Sequence, residues 1–189
     1  MPSSAEGAGP RQVALLGAAL LALVAGTASA ELAVGDDAPD FTTEAAKAGE
    51  TSRFSLADAL ARGPVVLYFY PAAFTPGCTL EAHEFAEATD DFAKLGATVI
   101  GVSRDDIDTL KRFSKSECRG KFAVAADTDG SISKSYDAVT LGVTRYASRT
   151  SYVITPDHKI VFVKSDPKPH DHVDDTMKAL RAWTEAAAP

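Results

Sequence analysis

The chain carries two cysteines, and the first, Cys78, stands where a nucleophile is easily made. The run Val65 to Tyr70 is continuously apolar and β-rich, which predicts a strand buried on both faces, and Pro71 stops it. From Thr75 the pattern turns helical. With Thr75 as N-cap and Pro76 at the first helical position, Cys78 falls in the first turn, among free backbone N–H groups and the positive end of the helix dipole. That setting favours a thiolate. A dithiol-exchange pair needs a second Cys three residues on, where the chain has Glu81, and a copper-thiolate pair needs one four residues on, where it has Ala82. What remains is a lone thiolate that attacks an electrophile.

The elements that must hold this sulfur can be read along the chain. "ELAVGDDAPDFT" is a Gly/Asp/Pro-rich lead-in, a hairpin or turn is expected around Gly49, and "SLADALA" makes one or two helical turns. Leu80, Phe85, Ala88, Phe92 and Leu95 recur at helical spacing until Gly96. "ATVIGVS" is the next buried strand, Ile107, Leu110 and Phe113 mark a second helix, and "FAVAAD" is a short strand before the turn "DTDG". "SISKSYDAV" forms a short helix, and "TSYVIT" and "KIVFVK" pair as a hairpin about Pro156-Asp157. Val173, Met177, Leu180 and Trp183 stripe a terminal helix. Alternating β and α units followed by a hairpin and a helix predict an α/β fold with a mixed central sheet flanked by helices. In such sheets the crevice beyond the carboxyl end of a strand is the reactive position, and Cys78 falls there.

With 189 residues, 46% hydrophobic and 24% charged, the chain suffices for one domain with its own core. A formal charge of −7 argues against nucleic acid or an anionic membrane surface as partner, and suits a small neutral substrate. Residues 1–30 are a different material. Arg11, the apolar stretch from Val13 and the small-residue motif Ala28-Ser29-Ala30 have the make-up of a cleaved secretory signal, with an uncleaved anchor as the alternative. Cleavage leaves residues 31–189 as one exported domain without stable membrane association, periplasmic in a bacterial host. No phosphate loop, dinucleotide fingerprint or haem-attachment sequence occurs, and neither cofactor nor metal is expected.

Pro71, Thr75 and Cys78 form P-x-x-x-T-x-x-C after a buried strand, and this resembles the active-site motif of the peroxiredoxins, thiol peroxidases built on the thioredoxin fold. The resemblance extends through "VGDDAPDF", "GVSRDD", "AADTDGSISKSYD" and "SRTSYVI", and "FYPAAFTPGCTLEA" is most similar to the bacterioferritin-comigratory or Q-type subgroup. It implies that Cys78 attacks a peroxide, hydrogen peroxide or an organic hydroperoxide, and becomes a sulfenic acid. It further implies that Thr75 orients the peroxide, that Arg149 stabilises the thiolate and the reacting oxygens, that Pro71 shields the sulfur and that Glu81 orients Arg149. A thioredoxin-like reductant and a monomer or homodimer go with the same resemblance.

Some Q-type relatives carry a resolving Cys where this chain has His83, a residue expected to face solvent. Attention therefore falls on Cys118, eleven residues after Ile107 and within roughly 20° of it around a regular helix, hence a candidate core position. Three readings stand for it: a resolving Cys that attacks the Cys78 sulfenate, a permanent Cys78–Cys118 bridge in a non-catalytic exported domain, or a buried bystander. His170 and His172, beside Asp171, Asp174 and Asp175, are expected on a solvated helix start rather than as metal ligands.

Overall fold

The computed structural model describes residues 32–139 and 145–187. The proposed signal segment, residues 1–30, lies outside the described residues. Two strands open the fold, β1 (Thr42–Lys47) and β2 (Glu50–Ser55), turning at Ala48-Gly49 as the sequence predicts. A short helix α1 (Leu56–Leu60) follows, capped by the Ser55 side chain on the Asp58 N–H. Then come β3 (Val65–Phe69), α2 (Pro76–Lys94), β4 (Thr98–Ser103), α3 (Ile107–Ser116), β5 (Ala123–Ala126) and α4 (Ser131–Ser135). The hairpin β6 (Thr150–Ile154) and β7 (Ile160–Ser165) precedes the terminal helix α5 (His172–Ala187).

These strands form one seven-stranded sheet in the order β2-β1-β5-β4-β3-β6-β7. β3, β4 and β5 run parallel, because the helical crossovers α2 and α3 return the chain to the same edge each time. The hairpin joins β3 antiparallel through β6, and β1 joins β5 antiparallel, so the sheet is mixed. The mixed α/β architecture expected from the sequence is therefore borne out.

Because β3 is buried on both faces, its side chains supply two cores at once. Val65, Leu67 and Phe69 join a cluster with Leu56, Leu60, Ile132 and Tyr136 under α1 and α4. Val66 and Tyr68 join the opposite cluster with residues of α2, α3 and α5, and both Cys78 and Cys118 lie in it. Gly101 on β4 faces Tyr68 in register, and a Cβ there would lie 2.7 Å from the tyrosine ring. The missing side chain lets Tyr68 stack on Phe85, ring centroids 4.3 Å apart, which seats α2 against the sheet.

One expectation is corrected along α2. Leu80 was assigned to its apolar stripe, yet Leu80 is exposed, and the buried positions are Cys78, Glu81, Ala82, Phe85, Ala86 and Phe92. Leu80 lies about 200° round the helix from Cys78 and cannot share its face. The true stripe runs through a glutamate. Among the described residues no helix is long and apolar enough to cross a membrane.

Candidate active site

Thr75 has the extended backbone of an N-cap, and Pro76 occupies the first helical position. The first helical bond runs from Thr79 N–H to the Thr75 carbonyl, so the N–H groups of Gly77 and Cys78 precede the intrahelical ladder. Thr75 does not cap with its side chain. Its hydroxyl donates to the Ala72 carbonyl at 3.0 Å, which leaves the oxygen lone pairs turned outward on an exposed residue. The preceding loop is pinned by Asp105, whose Oδ2 accepts from Ala73 N–H and from the Ser103 hydroxyl, both at 2.7 Å. Phe74 there adopts a left-handed backbone, φ 62°, and rests edge-on against Phe113. Pro71 is half-buried on the wall of an open cleft of about 320 Å³ shared with Arg104, Asp105, Arg145 and Tyr146.

Cys78 is 1% exposed, and Arg149 reaches it from just ahead of β6, with Nη2 3.4 Å from the sulfur. Glu81, on the same face of α2, accepts from Arg149 Nη1 through Oε2. The guanidinium is held from a third side, where Nε donates to the Pro167 carbonyl at 3.1 Å. Gly77 leaves room for it, since a Cβ there would lie 3.2 Å from Nη2. One planar cation is thus fixed between a sulfur, a carboxyl group and a backbone oxygen. Burial works against its charge, but the attraction of Glu81 and Cys78 outweighs burial and keeps Arg149 protonated. Burial pushes the Glu81 carboxyl up to about 8, against the pull of Arg149.

Behind Glu81 lies a residue the sequence placed wrongly. His172 was expected on a solvated helix start; it is wholly buried, with Nδ1 2.8 Å from Ser151 Oγ and Nε2 3.0 Å from the Asp166 carbonyl oxygen. Both ring nitrogens find partners inside the protein, so the ring needs no water. His170 is the exposed one, on an acidic cleft of about 460 Å³ with Glu84, Glu87 and Asp174. Among the described residues, no group of three or more His, Cys, Asp or Glu side chains is arranged to hold a metal ion. Ser151 and the Pro167 carbonyl were also missed. Ser151 reads as one more residue of a buried strand, and Pro167 lies in the loop after β7; no local pattern maps either onto the site.

Cys118 lies just past α3, wholly buried beyond the C-cap Glu117. Both cysteines are free, so the permanent bridge is not formed here. Burial pushes the Cys118 thiol well above its ordinary value, and Glu117 adds to this. His83 does not face open solvent as expected: it is half-buried, with Nε2 2.9 Å from Glu117 Oε2. Glu87 with Arg119 at 3.1 Å and Asp90 with Lys121 at 3.0 Å continue the same stripe of α2. Two ion pairs and the His83–Glu117 hydrogen bond strap the Cys118 segment to α2, the helix that carries Cys78.

Residues 34–163 match the model of the AhpC/TSA family. The chain belongs to the AhpC/TSA family. Within it, a putative peroxiredoxin of Mycobacterium tuberculosis is 36% identical over 126 residues, covering 65% of this chain and 81% of that protein. The chloroplastic peroxiredoxin Q of Populus jackii is 34% identical over 120 residues, covering 63% of this chain and 56% of that protein. Among solved structures, the peroxidoxin BcpB of M. tuberculosis superposes with a TM-score of 0.71 at 32% identity, over 79% of this chain and 96% of the other. A Cys-to-Ser variant of PrxQ from Xylella fastidiosa gives 0.73 at 26% identity, over 82% and 98%. The resemblance to peroxiredoxins of the Q type and to their thioredoxin-like fold is thereby borne out.

Proposed function

We propose that the protein is an exported thiol peroxidase in which Cys78 reduces hydrogen peroxide or an organic hydroperoxide. The observation that carries this reading is the Arg149 guanidinium 3.4 Å from a buried sulfur at the start of a helix. A buried cation beside the sulfur sets positive charge where negative charge develops and offers a second N–H to the oxygens of a peroxide. The Cys78 thiolate attacks one peroxide oxygen in line. The S–O bond forms as the O–O bond breaks, sulfur loses two electrons, and the leaving oxygen takes a proton to depart as water or alcohol. Thr75, its own proton committed to Ala72, accepts the hydrogen bond of the incoming peroxide. Pro71 screens the sulfur, and Glu81 orients Arg149.

Cys118 then attacks the sulfenate, forming the S–S bond and releasing water, and a thioredoxin-like dithiol reduces the disulfide. Its burial requires that the strapped segment after α3 opens first. Export rests on the signal-like residues 1–30, and a periplasmic site follows for a bacterial host.

Reduced protein mixed with one equivalent of hydrogen peroxide tests this. Rapid peroxide loss is expected, with a sulfenate-specific reagent trapped on Cys78 and a Cys78–Cys118 linkage found by mass mapping. In Cys118→Ser the sulfenate accumulates. A protein that leaves the peroxide intact is not a peroxidase, whatever its fold.

A further inference from the structure

The cleft at Pro71 has no part in the reaction as written. Its volume of about 320 Å³ has room for a molecule well beyond hydrogen peroxide, and two arginines line it, Arg104 and Arg145, beside Asp105 and Asp106. Both aspartates are engaged elsewhere. Asp105 Oδ2 accepts from Ala73 N–H and from the Ser103 hydroxyl, and Asp106 Oδ1 caps α3 on the Thr109 N–H, each at 2.7 Å. Among the described residues the arginines in ion pairs are Arg119 and Arg149, and neither Arg104 nor Arg145 pairs with a carboxylate.

Arg104 is held without being neutralised. Its guanidinium lies against Gly130, where a Cβ would come within 2.6 Å of Cζ, and its Nε is buried with no hydrogen-bond partner among the described residues. Packing rather than a counter-charge fixes the group, so its charge is left to whatever enters the cleft. A planar fork beside a second cation suits a carboxylate.

Two walls of the cleft run on into the catalytic groups. Pro71 begins the loop that leads to Thr75 and Cys78, and Asp105 pins that loop at Ala73. Arg145 and Tyr146 begin the segment that ends at Arg149, whose Nη2 is 3.4 Å from the sulfur. Four residues span at most about 14 Å, so Arg145 lies within reach of the far end of an alkyl hydroperoxide seated on Cys78. Tyr146, 41% exposed on the same cleft, offers a ring face to the alkyl chain.

We propose that this cleft is a substrate subsite in which Arg104 and Arg145 hold the carboxylate of an organic hydroperoxide while its O–O bond lies at Cys78. The proposal rests on the peroxidase reading and names the hydroperoxides that the site favours. The chemistry is unchanged: sulfur takes the terminal oxygen, and the alcohol leaves with its carboxylate intact. The chain's formal charge of −7 repels such a substrate at long range, whereas the two arginines act at contact.

The probes are tertiary alkyl hydroperoxides of increasing chain length, each with a terminal carboxylate and as its methyl ester. At the length that fits, the carboxylate is expected to oxidise Cys78 about five- to tenfold faster than the ester, by second-order rate, and added salt shrinks this advantage. Arg145→Gln should lower the ratio about twofold or more, and Arg104→Gln combined with it should bring the ratio to about one; a ratio cancels any general damage to the site. A wild-type ratio of one or less at every length overturns the proposal, as does a ratio that survives in the double variant. Should the double variant not fold, the exposed Arg145 decides alone, and an unchanged ratio in Arg145→Gln refutes the subsite. If hydroperoxides of both kinds are spared, the peroxidase reading fails by itself and binding decides the subsite. Hexanoate, but not methyl hexanoate, then shifts the Tyr146 ring signals of the wild type in NMR spectra and leaves those of Arg145→Gln in place; signals that do not move in the wild type refute the subsite as well.

Discussion

Cys78 and Cys118 are equally hidden from solvent and sit in the same apolar cluster, yet their sulfurs lie under opposite electrostatics. Cys78 opens a helix and has a guanidinium 3.4 Å away. Cys118 follows the end of one, where the dipole is negative, with Glu117 as its neighbour and no shift in favour of thiolate. Burial is common to both, so burial does not make a nucleophile. What separates them is the sign of the charge around the sulfur, and the fold supplies it by placing one cysteine at each kind of helix end.

The sharpest way to break the comparison is to exchange each sulfur for oxygen. Cys78→Ser is expected to abolish peroxide consumption, whereas Cys118→Ser leaves the first oxidation at the wild-type rate and removes the disulfide; stopped-flow and mass mapping read both. Next in size, Arg149→Met takes away the cation that distinguishes the two sites, and the rate of Cys78 oxidation should fall by about 10²- to 10³-fold with the fold intact by circular dichroism. A third effect is on stability. Glu81 titrates at about 8 in the fold against 4.5 in the unfolded chain, so its contribution is complete below 4.5 and is lost as pH rises through about 8. Urea midpoints should therefore decline from pH 4.5 to about 8 in the wild type, and Glu81→Gln should lack that part of the slope. The smallest effect concerns the strap on Cys118. Exposed ion pairs contribute about 0.5 kcal/mol each, so added salt should speed disulfide formation about two- to threefold while leaving the first oxidation of Cys78 unchanged.

How much of this was legible in the sequence depends on how far apart the partners lie. Pro71, Thr75 and Cys78 are local, and the strand stop, the helix start and the place of Cys78 in its first turn could be read from their spacing. The order of strands and helices followed from periodicity, since β3 and α2 are strongly patterned. Arg149 lies 68 residues from Glu81, and it was found through the motif it belongs to rather than through any local pattern. His172 was misread because acidic neighbours on α5 look like solvent, while its burial is decided by Ser151 on β6 and by the loop at Asp166. Leu80 failed for a related reason: an apolar residue was preferred to a glutamate for the core stripe. The stripe holds Glu81 because Arg149 satisfies it from another part of the chain.

The direction of one hydrogen has a consequence for what the site admits. Thr75 gives its proton to the Ala72 carbonyl, so toward the entrance it is an acceptor and nothing else. Hydrogen peroxide and alkyl hydroperoxides carry an O–H that fills this acceptor. A dialkyl peroxide has the same weak O–O bond but no proton to offer, and it leaves the hydroxyl unmet. On the proposed reading, selection between the two is made before any bond is broken, by which end of a hydrogen bond the protein has kept open.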